Sequence, residues 1–250
     1  MKIVVVGGTG LIGTQVIARL TEAGHDAVAA APSTGVDTLT GQGVDDALAG
    51  ADVVVDVSNS PSFADDDVLR FFRTSTRTLL DAERRAGVRH HVALSIVGAD
   101  RNPDSGYLRA KVAQEELVRD GGVPWTVVRA TQFFEFAPRI ADGATVDGAV
   151  RIPPVGFQPI ASADVARLVA EAAAGEPRGA AYDVAGPERF RFDEFIAAAL
   201  AAAGDDRPVV ADPAAPYFGA VLADDAIVPQ GDARLGATTY ADFAAARASA

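Results

Sequence analysis

Ser95, Tyr107 and Lys111 have the residue types and spacing that acid–base chemistry requires. The tyrosine and the lysine are four positions apart, so a helix over this segment places the phenol and the ammonium on one face. Ser95 closes an apolar segment, which is where the strands of a parallel sheet present reactive groups. A phenol exchanges a proton with a substrate oxygen, a nearby cation favours the phenolate, and a hydroxyl hydrogen-bonds the charge that develops.

A glycine-rich turn near the amino end of the chain predicts the element that would hold a cofactor beside these residues. The β-branched run over residues 3–6 predicts a strand buried on both faces, and apolar residues at helical spacing follow as far as Gly24. Between them, Gly7, Gly10 and Gly13 permit a sharp turn, close approach of a pyrophosphate and close helix–strand packing. This context favours a dinucleotide site over a plain structural turn, and no Gly-Lys-Ser/Thr follows as a P-loop requires.

The scarcity of lysine in this chain favours a catalytic role for Lys111. Twenty of the 22 basic residues are arginines, and the only lysines are Lys2 and Lys111. We expect Lys111 and an oxidised nicotinamide to lower the pKa of Tyr107 by about 3 units from its ordinary value of about 10, or roughly 4 kcal/mol. In the alternative interpretation Tyr107 packs at a helix start, Lys111 is a solvated surface charge and Ser95 is a buried, satisfied hydroxyl.

The end of the second predicted strand bears on which dinucleotide is bound. An NAD site carries an acid about 20 residues beyond the glycines, where this chain has Pro32, Ser33 and Thr34. Hydroxyls there accept a 2′-phosphate without repelling it, so we predict NADP. NAD is the alternative, because no arginine is present and Asp37 follows closely. The predicted cofactor-binding residues are Gly7, Thr9, Gly10, Leu11, Ile12, Gly13, Ser33, Thr34, Ser58, Asn59 and Lys111.

Strands and helices alternate along most of the chain, which predicts an α/β fold of the Rossmann type with a doubly wound parallel sheet. We expect one NAD(P)-binding domain over residues 1–250, with its core mainly in residues 1–130 and a returning strand near residues 181–185. At most a stub of a third strand is expected near Val36. Ligands of such a sheet bind beyond the carboxyl ends of its strands.

A small C-terminal substrate-binding cap is expected from residues 131–157 and 186–250. Phe133 and Phe134 follow the strand that ends near residue 129, so we predict that they line an apolar substrate pocket. Packing in the core is the alternative for either ring. The alanine-rich tail from Tyr240 predicts a terminal helix.

Composition excludes several classes of function. The chain has no cysteine, so disulfides, Cys-ligated zinc and thiol catalysis are excluded, and its three histidines lack metal-ligand spacing, so no metal site is predicted. A net charge of −12 argues against a nucleic-acid partner. The first strand begins at residue 2 and no apolar run is long enough to span a membrane. We therefore expect a cytoplasmic monomer or homodimer with a small-molecule substrate and no membrane partner.

The segments from Gly7 to Gly13, Ser95, and Tyr107-x-x-x-Lys111 resemble the short-chain dehydrogenase/reductase superfamily, in particular its extended and atypical branches, which include NmrA-like proteins. Further matching segments lie at residues 127–133, 159–165 and 184–188, whereas the last fifty residues match no pattern. The resemblance implies a Rossmann core, bound NAD(P), and a tyrosine acid/base assisted by lysine and serine.

The function that the resemblance implies is an NAD(P)H-dependent oxidoreductase that transfers a hydride to or from a small carbonyl or alcohol. Two alternatives remain at this point. One is an NmrA-like regulator that senses a dinucleotide without catalysis, against which the intact Tyr107 and Lys111 pair argues. The other is an epimerase or isomerase that uses its cofactor transiently.

Overall fold

A seven-stranded parallel sheet runs through the protein, whose computed structural model describes residues 1–248. The strands of the chain are β1 (Lys2–Val6), β2 (Asp26–Ala30), β3 (Val53–Asp56), β4 (His90–Ile96), β5 (Trp125–Ala130), β6 (Thr145–Val146), β7 (Ala149–Ile152), β8 (Gly156–Phe157), β9 (Ala180–Ala185), β10 (Phe190–Arg191), β11 (Val209–Ala211) and β12 (Ala233–Leu235). The order in the large sheet is β12-β9-β5-β4-β3-β1-β2. Every pairing in it is parallel, which confirms the predicted Rossmann-type fold.

Helices cover both faces of this sheet. They are α1 (Leu11–Glu22), α2 (Val44–Leu48), α3 (Asp65–Ala86), α4 (Gly106–Asp120), α5 (Ala137–Gly143), α6 (Ser162–Ala174), α7 (Phe192–Ala202) and α8 (Tyr240–Ala248). Short 3-10 helices lie at Pro32–Thr34, Ala99–Arg101 and Phe134–Phe136. Within residues 1–248, no helix combines the length and the apolar character that crossing a membrane requires.

The residues of β1 show why the sheet has helices on both sides. Side chains alternate across a strand, and Ile3 and Val5 pack with α1 and α6 on one face. Val4 and Val6 pack with α2 and α3 on the other face. All four side chains are buried, so both faces of the strand lie in the core. This explains why the strand is a continuous apolar run rather than an alternating one.

The segment between β2 and β3 contains no strand in residues 31–52, all of which the structure describes. The predicted stub near Val36 is replaced by a 3-10 helix at Pro32–Thr34, and the Val36 side chain is buried against the sheet. As a result β2 forms one edge of the sheet.

A second, smaller core lies outside the large sheet. It joins Phe134 and Phe157 to the buried face of α7, represented by Phe195 and Ile196. Two small sheets, β11-β7-β6 and β10-β8, belong to the same region. We call this region the cap. Residues 233–235, which the sequence prediction assigned to the cap, instead pair with β9 as the edge strand β12 of the large sheet.

Candidate active site

A cleft of about 1020 Å³ opens beyond the carboxyl ends of the parallel strands and extends under the cap. Its wall includes the residues that directly follow β1, β2, β3 and β5, together with the last three residues of β4. Several large apolar side chains that are exposed on the protein lie on this wall, and such clustering marks a binding surface. They are Leu11, Leu39, Phe63, Phe136 and Phe218.

The glycine turn forms one end of the cleft. Gly7 adopts a positive φ of 77°, which residues with a side chain rarely adopt. A Cβ there would also collide with the backbone of Ser58. A Cβ on Gly13 would lie 2.2 Å from the Gly7 carbonyl oxygen, so only glycine lets α1 approach β1 this closely. Gly10 is the N-cap of α1, makes no side-chain capping bond, and is followed by a first turn without an acidic residue.

This geometry fits the phosphates of a dinucleotide. The first N–H groups of a helix lack intrahelical acceptors and carry partial positive charge. At α1 no carboxylate or capping side chain occupies them, and Gly7, Thr9, Gly10, Leu11 and Ile12 all line the cleft. The start of α1 therefore offers free backbone donors to an anionic group.

The wall beyond β2 differs from the sequence prediction. Ser33 and Thr34 are exposed and do not line the cleft. The Thr34 hydroxyl is used within its own turn, where it donates to the Ala31 carbonyl over 2.9 Å and accepts from the Ala31 N–H. Asp37 does lie on the wall, and its Oδ1 accepts the Leu39 N–H over 2.8 Å. That hydrogen bond lowers the pKa of Asp37.

The turn after β3 connects the predicted cofactor residues to the tyrosine. Asp56, the last residue of β3, accepts the Ser58 N–H and the Ser58 hydroxyl at 3.0 and 2.6 Å. Asn59 Oδ1 in turn accepts the Tyr107 hydroxyl at 3.3 Å. Ser58, Asn59 and Tyr107 all line the cleft.

Ser95 lies on the same wall as Tyr107 and Lys111, so the structure brings the three predicted catalytic residues to one cleft. The serine is 2% exposed, and its Oγ has no hydrogen-bond partner among the described residues. A buried polar group without a partner is costly. Among the described residues, Ser95 Oγ is thus a buried hydroxyl on the cleft wall that lacks the partner expected of a satisfied structural hydroxyl.

Lys111 is buried at 4% exposure rather than solvated, and its ammonium is held by several groups. Its Nζ donates to the Leu94 carbonyl over 2.8 Å and to Gln114 Oε1, and it lies 4.3 Å from the centroid of the Phe72 ring. Gln114 Nε2 donates onward to Asp56 Oδ2 over 2.9 Å. A chain of hydrogen bonds thus joins the ammonium of α4 to the turn after β3.

Burial moves both pKa values away from the catalytic expectation. Desolvation raises the pKa of Tyr107 to about 12, and the hydrogen bond with Asn59 offsets only part of this. Lys111 does not contribute to this pKa of Tyr107, and the lowering expected from Lys111 together with an oxidised nicotinamide stays a prediction. Desolvation also lowers the pKa of Lys111 to about 8, against the opposing attraction of Asp56 and Glu115.

The two adjacent phenylalanines face different surroundings. Phe133 lines the cleft, where its ring stacks on Phe136 with centroids 5.1 Å apart. Phe134 is 1% exposed and belongs to the cap core, with Phe195 and Tyr240 against its ring. It does not reach the cleft because the 3-10 helix at Phe134–Phe136 turns it inward.

Aromatic residues from distant segments surround Tyr107, and sequence reasoning did not identify them. Phe63 meets the Tyr107 ring edge to face at 5.2 Å, and Phe218 lies 5.0 Å from it. Both come from loops, where no periodicity indicates a shared site. The Asp56–Gln114 link had a detectable signal, because Asp56 ends an apolar strand and Gln114 lies three residues after Lys111 on one helix face.

Residues 7–176 match the model of a family described as NAD(P)H-binding. The chain is 34% identical over 203 residues to (4-alkanoyl-5-oxo-2,5-dihydrofuran-3-yl)methyl phosphate reductase of Streptomyces griseus subsp. griseus, a match that covers 74% of this chain and 68% of that protein. It is 31% identical over 225 residues to NAD(P)H azoreductase of Xenophilus azovorans, covering 83% and 75% of the two chains.

Solved structures show the same fold at lower sequence identity. The dTDP-glucose 4,6-dehydratase of Streptomyces venezuelae, solved with NAD bound, superposes with a TM-score of 0.73 at 18% identity and covers 99% of this chain and 95% of its own. The resemblance predicted from the glycine turn and the Tyr107–Lys111 pair is therefore confirmed. The chain belongs to the NAD(P)H-binding family whose model matches residues 7–176, and two of its relatives in sequence are named as reductases.

Proposed function

We propose that the protein reduces a small carbonyl compound with NADPH and that Tyr107 donates the proton. The observation that carries this proposal is the shared cleft: the glycine turn lies at one end, and Tyr107 lines the same wall as the unpartnered hydroxyl of Ser95. The Streptomyces relative is named as a reductase of a lactone phosphate and the Xenophilus relative as an azoreductase. Both names describe reductions of small unsaturated molecules.

The proposed mechanism gives each residue a distinct task. The glycine turn and the start of α1 would hold NADPH, which would supply a hydride for the carbonyl carbon. The Tyr107 phenol, neutral at physiological pH because burial raises its pKa to about 12, gives its proton to the carbonyl oxygen, so that an alcohol forms. Ser95 Oγ hydrogen-bonds that oxygen as negative charge develops on it. Lys111 supplies positive charge near the phenolate that remains after the transfer.

NADPH rather than NADH is proposed on the basis of the wall beyond β2. The end of β2 is alanine, so no acid lies where an NAD site places one to bind the ribose hydroxyls. The Asp37 carboxylate lies further along the wall and is fixed by the Leu39 N–H. The hydroxyls of Ser33 and Thr34 no longer support this preference, because neither residue lines the cleft.

Replacing Tyr107 by phenylalanine tests the mechanism. Tyr107→Phe should keep the fold and the NADPH affinity of the wild type, while turnover falls by a factor on the order of 10² to 10⁴, the range for a positioned acid. Turnover is measured as NADPH oxidation over a panel of small carbonyl compounds. Tyr182→Phe is the matched control, since it removes a phenol hydroxyl from a residue that does not line the cleft.

A regulator that binds a dinucleotide without turnover is the second candidate, and one observation favours it. The Lys111 ammonium donates to the Leu94 carbonyl and to Gln114 rather than to the phenol. If the protein is such a regulator, NADPH binds and no member of the carbonyl panel is reduced, by wild type or by Tyr107→Phe. Unchanged turnover in Tyr107→Phe would instead show that the proton comes from another group.

A further inference from the structure

The charges on the cleft wall have the opposite balance to the chain as a whole. The sequence has 34 acidic and 22 basic residues, whereas the charged side chains on the wall are one acid, Asp37, and three bases, Lys111, Arg139 and Arg151. A strongly acidic protein repels anions at long range, so a cleft with excess positive charge is the place where an anionic molecule is favoured. Two of these bases, Arg139 and Arg151, lie on the cap side.

Arg139 is an exposed residue of α5 whose neighbouring carboxylates are engaged elsewhere. Glu135 and Asp142, four residues before and three after it, have the spacing at which helical ion pairs form. Glu135 instead accepts the Ser162 N–H and hydroxyl, and Asp142 pairs with Arg207 at 2.9 Å. Among the described residues, no carboxylate lies within salt-bridge distance of the Arg139 guanidinium.

The position of Arg139 is on the substrate side of the cleft. Its guanidinium carbon lies 5.8 Å from the centroid of the Phe63 ring, and that ring is in edge-to-face contact with Tyr107. One aromatic ring therefore separates the free cation from the proposed proton donor. The start of α1, which offers donors to the phosphates of the cofactor, is a separate anion-binding element of the same cleft.

Arg151 contributes a second, partly neutralised cation. Its Nη1 lies 3.4 Å from Asp212 Oδ2, at the long end of an ion pair between partly exposed groups. Such a pair is weak in water. The Arg151 guanidinium consequently retains donors for a ligand on the same wall, while no carboxylate within the described part of the chain pairs with Arg139.

We propose that Arg139, supported by Arg151, holds an oxyanion group of the substrate. The substrate class is then a flat, conjugated carbonyl compound that carries a carboxylate, sulfonate or phosphate. Its flat part packs among Phe63, Phe218 and Tyr107, because aromatic rings favour stacked and edge contacts. A guanidinium binds an oxyanion through two parallel hydrogen bonds. The identification of the bound molecule as a substrate rests on the proposed reductase function, whereas the anion site itself does not.

The test compares a sulfonated naphthoquinone with uncharged naphthoquinone. The sulfonate charge does not change with pH, and both probes present a conjugated carbonyl group. Calorimetric titration of the NADP⁺-saturated wild type should show that the sulfonate binds about tenfold or more tightly than the neutral quinone. Arg139→Gln should bring the affinities for the two quinones close to each other and leave the affinity for NADP⁺ as in the wild type. Arg77→Gln, an exposed arginine of α3 away from the cleft, should keep the ratio.

Each other outcome decides the proposal. It is overturned if the wild type does not prefer the sulfonate, if neither quinone binds, or if Arg139→Gln keeps the preference. It is also overturned if Arg139→Gln instead weakens the binding of NADP⁺, since Arg139 then belongs to the cofactor site. NADPH oxidation is followed with the same two quinones. An Arg139-dependent preference in binding without oxidation of either quinone supports the anion site and contradicts the reductase function.

Discussion

At the scale of single residues, burial and neighbouring carboxylates have opposite effects on the pKa of Lys111. Removing an ammonium from water disfavours its charged form, and Asp56 and Glu115 only partly restore it. The resulting pKa of about 8 lies well below the ordinary value of 10.5. The difference between the two values corresponds to about 3 kcal/mol. Lys111 therefore lowers the stability of the folded protein at neutral pH.

Lys111→Met should remove a pH-dependent part of the stability. Because the folded-state pKa is below the unfolded value, the unfolded chain binds more protons between pH 8 and 10.5. The loss of stability caused by Lys111 is therefore complete below about pH 8, and it disappears as the pH rises to about 10.5. The difference between wild type and variant in the free energy of unfolding, measured with urea, should change by about 3 kcal/mol between pH 7 and pH 10.5. Parallel curves for the two proteins across this range would contradict the cause assigned to the shift.

The Asp37 carboxylate gives a second prediction at this scale. It lies on the cleft wall beyond β2, where in the proposed complex with NADPH a negative charge would oppose the 2′-phosphate. Asp37→Asn should therefore bind NADPH several-fold more tightly and gain nothing for NADH. Fluorescence titration with both cofactors measures this. Asp26→Asn, at the opposite end of β2, is the control and should leave both affinities unchanged; tighter NADH binding in Asp37→Asn would argue against the proposed preference.

At the scale of elements, the unit from β1 through the glycine turn to α1 was predictable because each part is determined locally. Four β-branched residues specify the strand, and the glycines are required by backbone geometry that only glycine meets at Gly7 and Gly13. The helical spacing of Tyr107 and Lys111 was predictable for the same reason, since α4 covers both.

The parts of the site that sequence did not predict depend on long-range packing. Phe133 and Phe134 are neighbours in an irregular segment, so no periodicity shows which one faces the cleft. Phe218 reaches Tyr107 from a loop more than a hundred residues away in sequence. The hydroxyl of Thr34 was expected to face a ligand, yet its own turn offered nearer backbone partners.

Gly13→Ala tests the close approach of α1 to β1. A methyl group there would lie 2.2 Å from the Gly7 carbonyl oxygen, so the start of the helix must move away from the turn. We expect a loss of about 1 to 3 kcal/mol in the free energy of unfolding, together with weaker NADPH binding. Gly231→Ala, where a methyl group meets nothing within 4 Å, should be close to neutral in both measurements. Wild-type NADPH affinity in Gly13→Ala would show that the phosphates are bound elsewhere.

At the scale of the whole molecule, the large sheet is completed from the far end of the chain. β12 pairs only with β9 and so covers an edge that would otherwise expose unpaired backbone groups. The loop after β12 is also fixed, because Asp164 Oδ2 accepts the Ala237 and Thr238 N–H groups at 3.0 and 2.9 Å. Strands β1 and β12, which are far apart in sequence, therefore belong to one sheet.

Two truncated chains measure the importance of this edge. A chain that ends at Asp232 lacks β12 and α8, whereas a chain that ends at Thr239 lacks α8 alone. Both lose the packing of α8 on the cap, so the difference between them reports on β12 together with the loop that Asp164 holds. The shorter chain should form aggregates in sedimentation experiments at concentrations where the longer one remains dispersed. Equal sedimentation of the two would show that β9 needs no cover.

Because β12 lies late in the sequence, it is synthesised well after its partner strand β9. After β9 leaves the ribosome, roughly fifty residues of the cap must be synthesised before β12 can join it, which takes about 2 to 10 s at ordinary translation rates. During this interval β9 is held in the growing domain with one side open. Slow codons within residues 186–232 should therefore lower the yield of active protein, and chaperones that shield strand edges should restore it.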